Sequence, residues 1–392
     1  MKLSIEQVDL GGRRVFLRAD LNAPLEHGAV SDDNRLTAVL PTIRLALERG
    51  AAVVLASHLG RPKGGPDPKY TLRPVAERLQ ALLERPVGLA PDCVGEAVEG
   101  QARALKPGEI VLLENLRFHP EEEANDDAFA RRLAGLADLY VNDAFAAAHR
   151  AHASIAAITR HLQPAAAGLL MRRELEALGR ILEAPARPLV AVLGGAKVSD
   201  KIALVEHLLS KVDALVIGGG MAFTFLRALG HGVGKSLVEV DRIEMARSTL
   251  EAARRRGVNI VLPVDAVVAA GLDSPSGRAV SVRDIPAEQM GLDLGPLSVE
   301  RFATVLRTAK TIVWNGPMGV FEKPAFATGT VAVARAVAES PAFTVIGGGD
   351  TVAAVNQAGV TDRIGYISTA GGAFLEFLEG RALPGVEALT EA

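Results

Sequence analysis

Arginine and histidine recur at one kind of position in the amino-terminal half of this chain. The segments R-A-D-L-N (Arg18 to Asn22), S-H-L-G-R-P (Ser57 to Pro62), E-N-L-R-F (Glu114 to Phe118) and N-D-A-F-A-A-A-H-R (Asn142 to Arg150) each follow a run of apolar, mostly β-branched residues. Together with Arg35 they gather guanidiniums at Arg18, Arg61, Arg117 and Arg150 and an imidazole at His58. Such cations converging on one crevice repel each other unless an anion sits among them, and the planar guanidinium fork binds carboxylate or phosphate oxygens through paired hydrogen bonds. Asp20 and Asn22 add an acceptor and an amide, as a ligand with a hydroxyl between anionic ends requires. A lone arginine is an ordinary surface ion pair; its repetition at strand ends is what marks a site. His149 and His152 are spaced like two metal ligands on a helix, but no third His or Cys ligand lies near, so anion contacts or structural hydrogen bonds are expected of them instead.

The carboxyl-terminal half carries glycine where the first half carries arginine. Its loops are L-G-G-A-K-V-S-D-K (Leu193 to Lys201), G-G-G-M-A-F (Gly218 to Phe223), W-N-G-P-M-G-V-F-E (Trp314 to Glu322) and G-G-G-D-T (Gly347 to Thr351). Lys197 and Lys201, four apart at a helix start, bring ammonium groups and free backbone N–H donors toward a phosphate chain. In the last loop Asp350 is suited to a magnesium ion and Thr351 to capping the next helix, while Glu322 suits ribose hydroxyls. Gly232 to Ser236 imitates the end of a P-loop, but Leu229 stands where its first glycine belongs and no strand precedes it. A strict G-x-G-x-x-G is absent, which speaks against a dinucleotide enzyme.

Elements that could position these loops are legible as continuous apolar runs, the pattern of strands covered on both faces. They are Val15 to Ala19, Ala52 to Ser57, Ile110 to Leu113, Leu139 to Asn142, Leu189 to Leu193, Ala214 to Gly218, Val258 to Leu262, Thr311 to Asn315 and Phe343 to Gly347. Helical periodicity fills the gaps, as at Leu36 to Arg49, Leu72 to Glu84, Asp126 to Ala137, Lys201 to Ser210 and Glu244 to Arg256. Alternating strand and helix predicts parallel sheets with right-handed crossovers, and ligands at the carboxyl ends of the strands. A longer helical stretch, Ala165 to Glu183, followed by P-A-R-P, reads as a connector between two strand-helix sets. Acidic Glu121 to Glu123, with Asp126 and Asp127, reads as the start of a helix favoured by its dipole.

The whole chain sets outer bounds. At 392 residues it exceeds one compact core. A net charge of -3 and an aromatic share of 4% give no general attraction to polyanions and no stacking surface, so nucleic acid is not an expected partner. Cys93 is the only cysteine, consistent with a reducing cytosol, and its expected role is packing. No stretch has the length and apolarity of a membrane span.

In order along the chain, R-x-D-x-N-x-P, S-H-L-G-R-P, E-N-x-R-F, H-R-A-H, G-G-A-K-V-x-D-K, W-N-G-P-M-G-V-F-E and G-G-G-D-T resemble phosphoglycerate kinase. The resemblance implies an α/β protein of two Rossmann-like three-layer αβα domains with parallel sheets, joined by a connecting helix and hinge. Residues 1–164 with a tail of about 380–392 would bind phosphoglycerate, 165–184 would connect, and 185–379 would bind nucleotide. It places Asp20, Leu21, Asn22, Arg35, His58, Leu59, Gly60, Arg61, Arg117 and Arg150 on 3-phosphoglycerate or 1,3-bisphosphoglycerate. Lys197, Lys201, Glu322, Gly348, Gly349, Asp350 and Thr351 fall on ATP or ADP, with Asp350 toward Mg²⁺. The migrating phosphoryl group would meet Arg35, Lys201, Gly371 and Gly372, in a cytoplasmic monomer. Ala370 stands where the family has glycine and Phe374 where it has serine; a methyl at Ala370 is harmless only if its φ is negative. Because the two sites are assigned to different domains, hinge closure must bring the substrates together and exclude water. The radius of gyration from small-angle scattering should therefore shrink when both substrates are bound, and an unchanged value in the ternary complex would refute closure.

Overall fold

The structure is a computed structural model and describes all 392 residues. Its contacts divide the chain into two units, one of residues 1–176 with 382–392 and one of residues 177–381. No helix is long and apolar enough to cross a membrane.

In the first unit the apolar runs form strands β1 (Arg14–Arg18), β4 (Ala52–Ala56), β5 (Gly88–Leu89), β6 (Ile110–Leu112), β7 (Leu139–Asn142) and β8 (Ala165–Ala167). All pair in parallel in the order β5-β6-β4-β1-β7-β8, while β2 (Leu25–Glu26) and β3 (Ala29–Val30) make a separate hairpin. The chain moves outward from β1 to β4 and then returns to the other side of β1 for β7, so the strand order reverses at β1. Register aligns Arg18 with both Ala56 and Asn142, and three of the cationic loops leave the sheet side by side. Underneath, Val15, Leu17, Val53, Leu55 and Leu112 pack with Leu36, Ile43 and Val75 from the helices Asn34–Glu48 and Arg73–Leu83.

The second unit repeats the plan with β9 (Leu189–Leu193), β10 (Ala214–Ile217), β11 (Asn259–Val261), β15 (Thr311–Asn315), β16 (Phe343–Ile346) and β17 (Tyr366–Ile367). These are parallel in the order β11-β10-β9-β15-β16-β17. An antiparallel sheet, β13-β12-β14, is added by β12 (Asp265–Ala269), β13 (Arg278–Ser281) and β14 (Met290–Leu294). Trp314, fully buried, packs with Val192, Val216, Phe302 and Ile346 at the centre of this core.

Every strand read from a continuous apolar run is present, with ends shifted by a residue or so. The connector differs. Ala165 to Ala167, read as its first turn, are strand β8, and the helix begins at Leu169 and runs to Leu182. Two side chains fix that start: Thr42 Oγ accepts from Leu169 N at 3.0 Å and Asp143 Oδ1 from Met171 N at 3.0 Å. The helix read at Lys201 to Ser210 is a 3₁₀ turn over Ser199–Lys201 followed by an α-helix over Ile202–Leu208. Both ends of the chain close the β8 edge: Ala167 N donates to Leu3 O at 2.7 Å, Thr390 N to Ala165 O at 2.9 Å, and Ala392 N to Met1 O at 2.8 Å.

Of the two departures flagged near the last glycines, neither is strained. Ala370 is absent from the positive-φ residues, and it is buried. Phe374, fully buried, lies so close under Gly347 that a Cβ there would meet its ring at 2.5 Å. The phenyl ring thus floors the G-G-G-D-T loop where a serine would leave space. Phe374→Ala should lower stability to urea by about 3–5 kcal/mol, the usual cost of emptying a buried phenyl site; a loss below about 1 kcal/mol would mean that the loop collapses into the space and that Phe374 does not support it.

Candidate functional site

The deepest cation of the first unit is Arg18, with only 1% of its surface exposed. Its Nε donates to Ser154 Oγ at 2.8 Å, Nη1 to Ala19 O at 2.5 Å, and Nη2 lies 3.2 Å from His58 Nδ1. A guanidinium only donates, so His58 Nδ1 accepts and the ring keeps its proton on Nε2. Burial first, then Arg18, Arg117 and Arg35, hold the pKa of His58 well below its usual value. His152 is pushed down to about 3 by burial first, then by Arg18, Arg117 and Arg150. Both histidines are neutral near pH 7, and the positive charge of this region resides on guanidiniums.

Around Arg18 the loop ends are tied to each other rather than left free. Arg35, at the start of the helix Asn34–Glu48, pairs with Asp20 Oδ2 at 2.8 Å, and Asp20 Oδ1 accepts from Asn22 N at 3.1 Å. Asn22 Oδ1 accepts from Gly60 N at 2.8 Å, and Gly60 O accepts from Arg117 Nη1 at 2.7 Å. Leu21 N donates to Ser57 Oγ at 2.9 Å, and Leu59 exchanges two hydrogen bonds with the buried Asn115. Gly60 has φ +59 with the Tyr70 ring against its Cα, so no side chain fits there. Arg150 Nε lies 3.1 Å from His149 Nε2, and Arg61 is exposed. The structure thus brings Asp20, Leu21, Asn22, Arg35, His58, Leu59, Gly60 and Arg117 into one bonded network, while Arg18 serves as its buried base.

Sequence reading assigned the acidic run a plain helix-start role and missed what two of its members do. Glu122 is fully buried and accepts from Ser154 N at 2.9 Å and Ser154 Oγ at 2.5 Å, beside Arg18. Burial pushes its pKa up, while Arg18 and the Ser154 hydrogen bonds oppose that. Glu123 Oε1 lies 3.2 Å from Arg117 Nε. No local signal separates such carboxylates from solvated ones, since their partners come from other loops.

In the second unit the glycine loops interlock. Gly194 N donates to Asn315 O at 3.0 Å, Gly195 N to Pro317 O at 2.9 Å and Gly219 N to Met318 O at 3.0 Å. A Cβ at Gly218 would meet Met318 Sδ at 2.5 Å, so this glycine is required by the approach of another loop as well as by any ligand. Lys201 donates to Asn315 Oδ1 and, at 3.2 Å, to Asn315 O. Burial lowers its pKa to about 8, with Asp200 and Asp350 acting in the opposite direction. An anion beside this ammonium would offset its desolvation. Lys197 stands in the same loop, whose turn is capped by a carboxylate that sequence reading missed: Glu239 accepts from Val198 N at 2.6 Å and Ser199 N at 3.0 Å.

A cavity of about 400 Å³ opens among these loops, lined by Ala196, Gly219, Leu292, Met318, Glu322 and Asp350 among others. Its walls are mostly apolar, as a purine ring requires, with carboxylates at Glu322 and Asp350. Gly348, with φ +95, is the N-cap of the helix Gly349–Gln357. Thr351 does not cap that helix, contrary to expectation: it is buried inside it, and its Oγ1 accepts from Gly316 N at 2.7 Å. Gly348 to Asp350 therefore offer backbone and carboxylate, and Thr351 holds the W-N-G-P loop. Gly371 is the N-cap of the helix Gly372–Leu378 and has φ −81.

The family model described as phosphoglycerate kinase matches residues 5–381. A phosphoglycerate kinase of Acidobacterium capsulatum is 56% identical over 401 residues, covering 100% of this chain and 99% of the relative, and one of Moorella thermoacetica is 56% identical over 392 residues. Among solved structures, phosphoglycerate kinase from Coxiella burnetii superposes with a TM-score of 0.93 at 44% identity, covering 99% of this chain and 98% of that one. The enzyme from Pyrococcus horikoshii gives 0.83 at 36% identity, with the same coverage.

Asp293, on β14, also lines the cavity and was not singled out in the sequence. Its Oδ2 accepts from Gly329 N at 2.6 Å, while Oδ1 is buried without a hydrogen-bond partner. Burial raises its pKa to about 7, against the backbone donors that lower it. A carboxyl that holds its proton more tightly folded than unfolded favours folding at low pH, and that contribution is lost as pH climbs from about 4 to about 7. Urea denaturation of Asp293→Asn should show a smaller loss of stability between pH 5 and pH 8 than the parent chain; an identical pH slope would mean that Asp293 is ionised throughout.

Proposed function

This chain belongs to the phosphoglycerate kinase family, a phosphotransferase with a carboxyl group as acceptor that moves a phosphoryl group reversibly between 1,3-bisphosphoglycerate and ADP, and from that premise we propose how its residues divide the work. Asp20, Asn22, Arg35, His58, Arg61, Arg117 and Arg150 bind phosphoglycerate, with Leu21, Leu59 and Gly60 supplying backbone and shape. The observation that carries this reading is the chain of hydrogen bonds from Arg35 through Asp20, Asn22 and Gly60 to Arg117, which sets two guanidiniums at fixed separation around acceptor and amide groups. Bidentate oxyanion recognition depends on that kind of preorganisation.

The nucleotide takes the apolar cavity beside Ala196, Leu292 and Met318, with Glu322 on its ribose and Lys197, Lys201 and Gly348 to Asp350 on its phosphates. Asp350 is a hard oxygen donor in the first turn of a helix, lining that cavity, and so fits a magnesium ion accompanying ATP or ADP. Bound there, the ion would neutralise phosphate charge. A reducing cytosol suits a chain whose one thiol is buried, and we read it as a monomer.

In the direction that consumes ATP the nucleophile is a carboxylate, ionised at neutral pH because its pKa is about 4. Transfer needs no general base, and none need be sought among His58 and His152. The barrier falls by alignment and by cations meeting the charge on the migrating group: Arg35 from one unit, Lys201 and the N–H groups of Gly371 and Gly372 from the other. In a coupled assay the chain should phosphorylate 3-phosphoglycerate with ATP. Arg35→Ala should lower kcat by about 10²–10³ while leaving nucleotide affinity unchanged. Near-normal turnover in that variant would remove Arg35 from the reaction, and inactivity of the parent chain would refute the whole reading.

A further inference from the structure

Apart from both sites, three donors of different softness meet in the first unit. Asp92 and Cys93 lie in the loop after β5, and His119 follows the 3₁₀ turn Leu116–Phe118 that carries Arg117. One ligating atom from each lies within 4.8 Å of the other two. His119 Nε2 stands 2.6 Å from Asp92 Oδ1, and Cys93 Sγ lies 2.9 Å from Glu114 O. We propose that Asp92, Cys93 and His119 form a binding site for a divalent transition metal of the zinc type.

Donor chemistry selects the class of ion. Sulfur and imidazole together favour zinc, cobalt or nickel over magnesium and calcium, which take oxygen. Ligand atoms around a tetrahedral zinc lie between about 3 and 4 Å apart, given metal–ligand lengths of about 2.0–2.3 Å. The present spacing, 2.6 Å between His119 and Asp92 and no more than 4.8 Å for any pair, spans that range. Entry is open on one side, since the Asp92 side chain is 46% exposed and that of His119 24%, whereas Cys93 forms the buried wall. Glu114 is not a fourth ligand through its carboxylate, which is already taken by Leu72 N, Asn115 N and Thr71 Oγ1. Water from the open side, or the Glu114 carbonyl oxygen, completes the set. The His119 ring is held for the task by stacking on Phe129 at 5.0 Å between centroids.

Binding breaks the Cys93 S–H bond, sends its proton to solvent and forms a metal–sulfur bond, with no change of oxidation state. Because binding releases that proton, affinity must rise with pH. A bound ion would tie the loop after β5 to the segment that carries Arg117.

The test uses Co²⁺ alone on the full chain, stripped of divalent ions and kept reduced. Because Cys93 is the only thiol, a sulfur-to-cobalt charge-transfer band in the near ultraviolet can come from nowhere else. The proposal expects that band to saturate at one ion per chain, to vanish in Cys93→Ser, and to need about tenfold or more cobalt in His119→Gln, a loss of the order that displaced metal partners cause. Absence of the band in the parent chain overturns the proposal. So does an unchanged titration in both His119→Gln and Asp92→Asn, which also decides the matter should Cys93→Ser fail to fold by circular dichroism.

Discussion

Keeping a guanidinium out of water is costly unless its nitrogens find acceptors, and the first unit provides one for each nitrogen of Arg18. Its acceptors come from three places: the next residue in the chain, Ser154 and His58. Ser154 is in turn held by Glu122, whose carboxyl is buried beside Arg18. Fixing those partners fixes the loops that bear them, and the outer arginines stand on that base. The neutral state of His58 is part of the same solution, since a second cation at Nδ1 would face Arg18 directly.

The second unit meets the same difficulty with one lysine and one asparagine. Asn315 accepts from Lys201 through both its oxygens, receives Gly194 N on its carbonyl, and spends its amide on Gly347 O at 2.7 Å. Three loops are thereby fastened at the end of β15, one of the two central strands of the sheet. The ammonium's hydrogen bonds go to neutral oxygens, and the charges of Asp200 and Asp350 offset its desolvation only in part, which is why its pKa stays lowered.

Both sheets were readable because buried parallel strands spell continuous apolar runs, and A-V-V-L-A or T-I-V-W-N admit little else. The added antiparallel sheet was not, since R-A-V-S and M-G-L-D-L are short, partly polar and set among turns. Loop chemistry showed the same division. Arg35, Lys201 and Asp350 announced themselves by charge at helix starts in the connections that follow strands, whereas Glu122, Glu239 and Asp293 look like any solvated carboxylate until distant residues arrive around them. Thr351 was misread because G-G-G-D-T resembles a cap motif locally; its hydroxyl is claimed instead by Gly316, 35 residues away.

Thr390, Leu3 and β8 have a consequence for how the protein is made. The edge of the first sheet is covered by Leu3 at one end and Thr390 at the other, so its final seam waits for residues 382–392 to leave the ribosome. Residues 177–381 are translated in between, which at about 5–20 residues per second takes on the order of 10 to 40 seconds. Throughout that interval the nascent amino-terminal unit presents a partly bare strand edge, the kind of template on which chains aggregate.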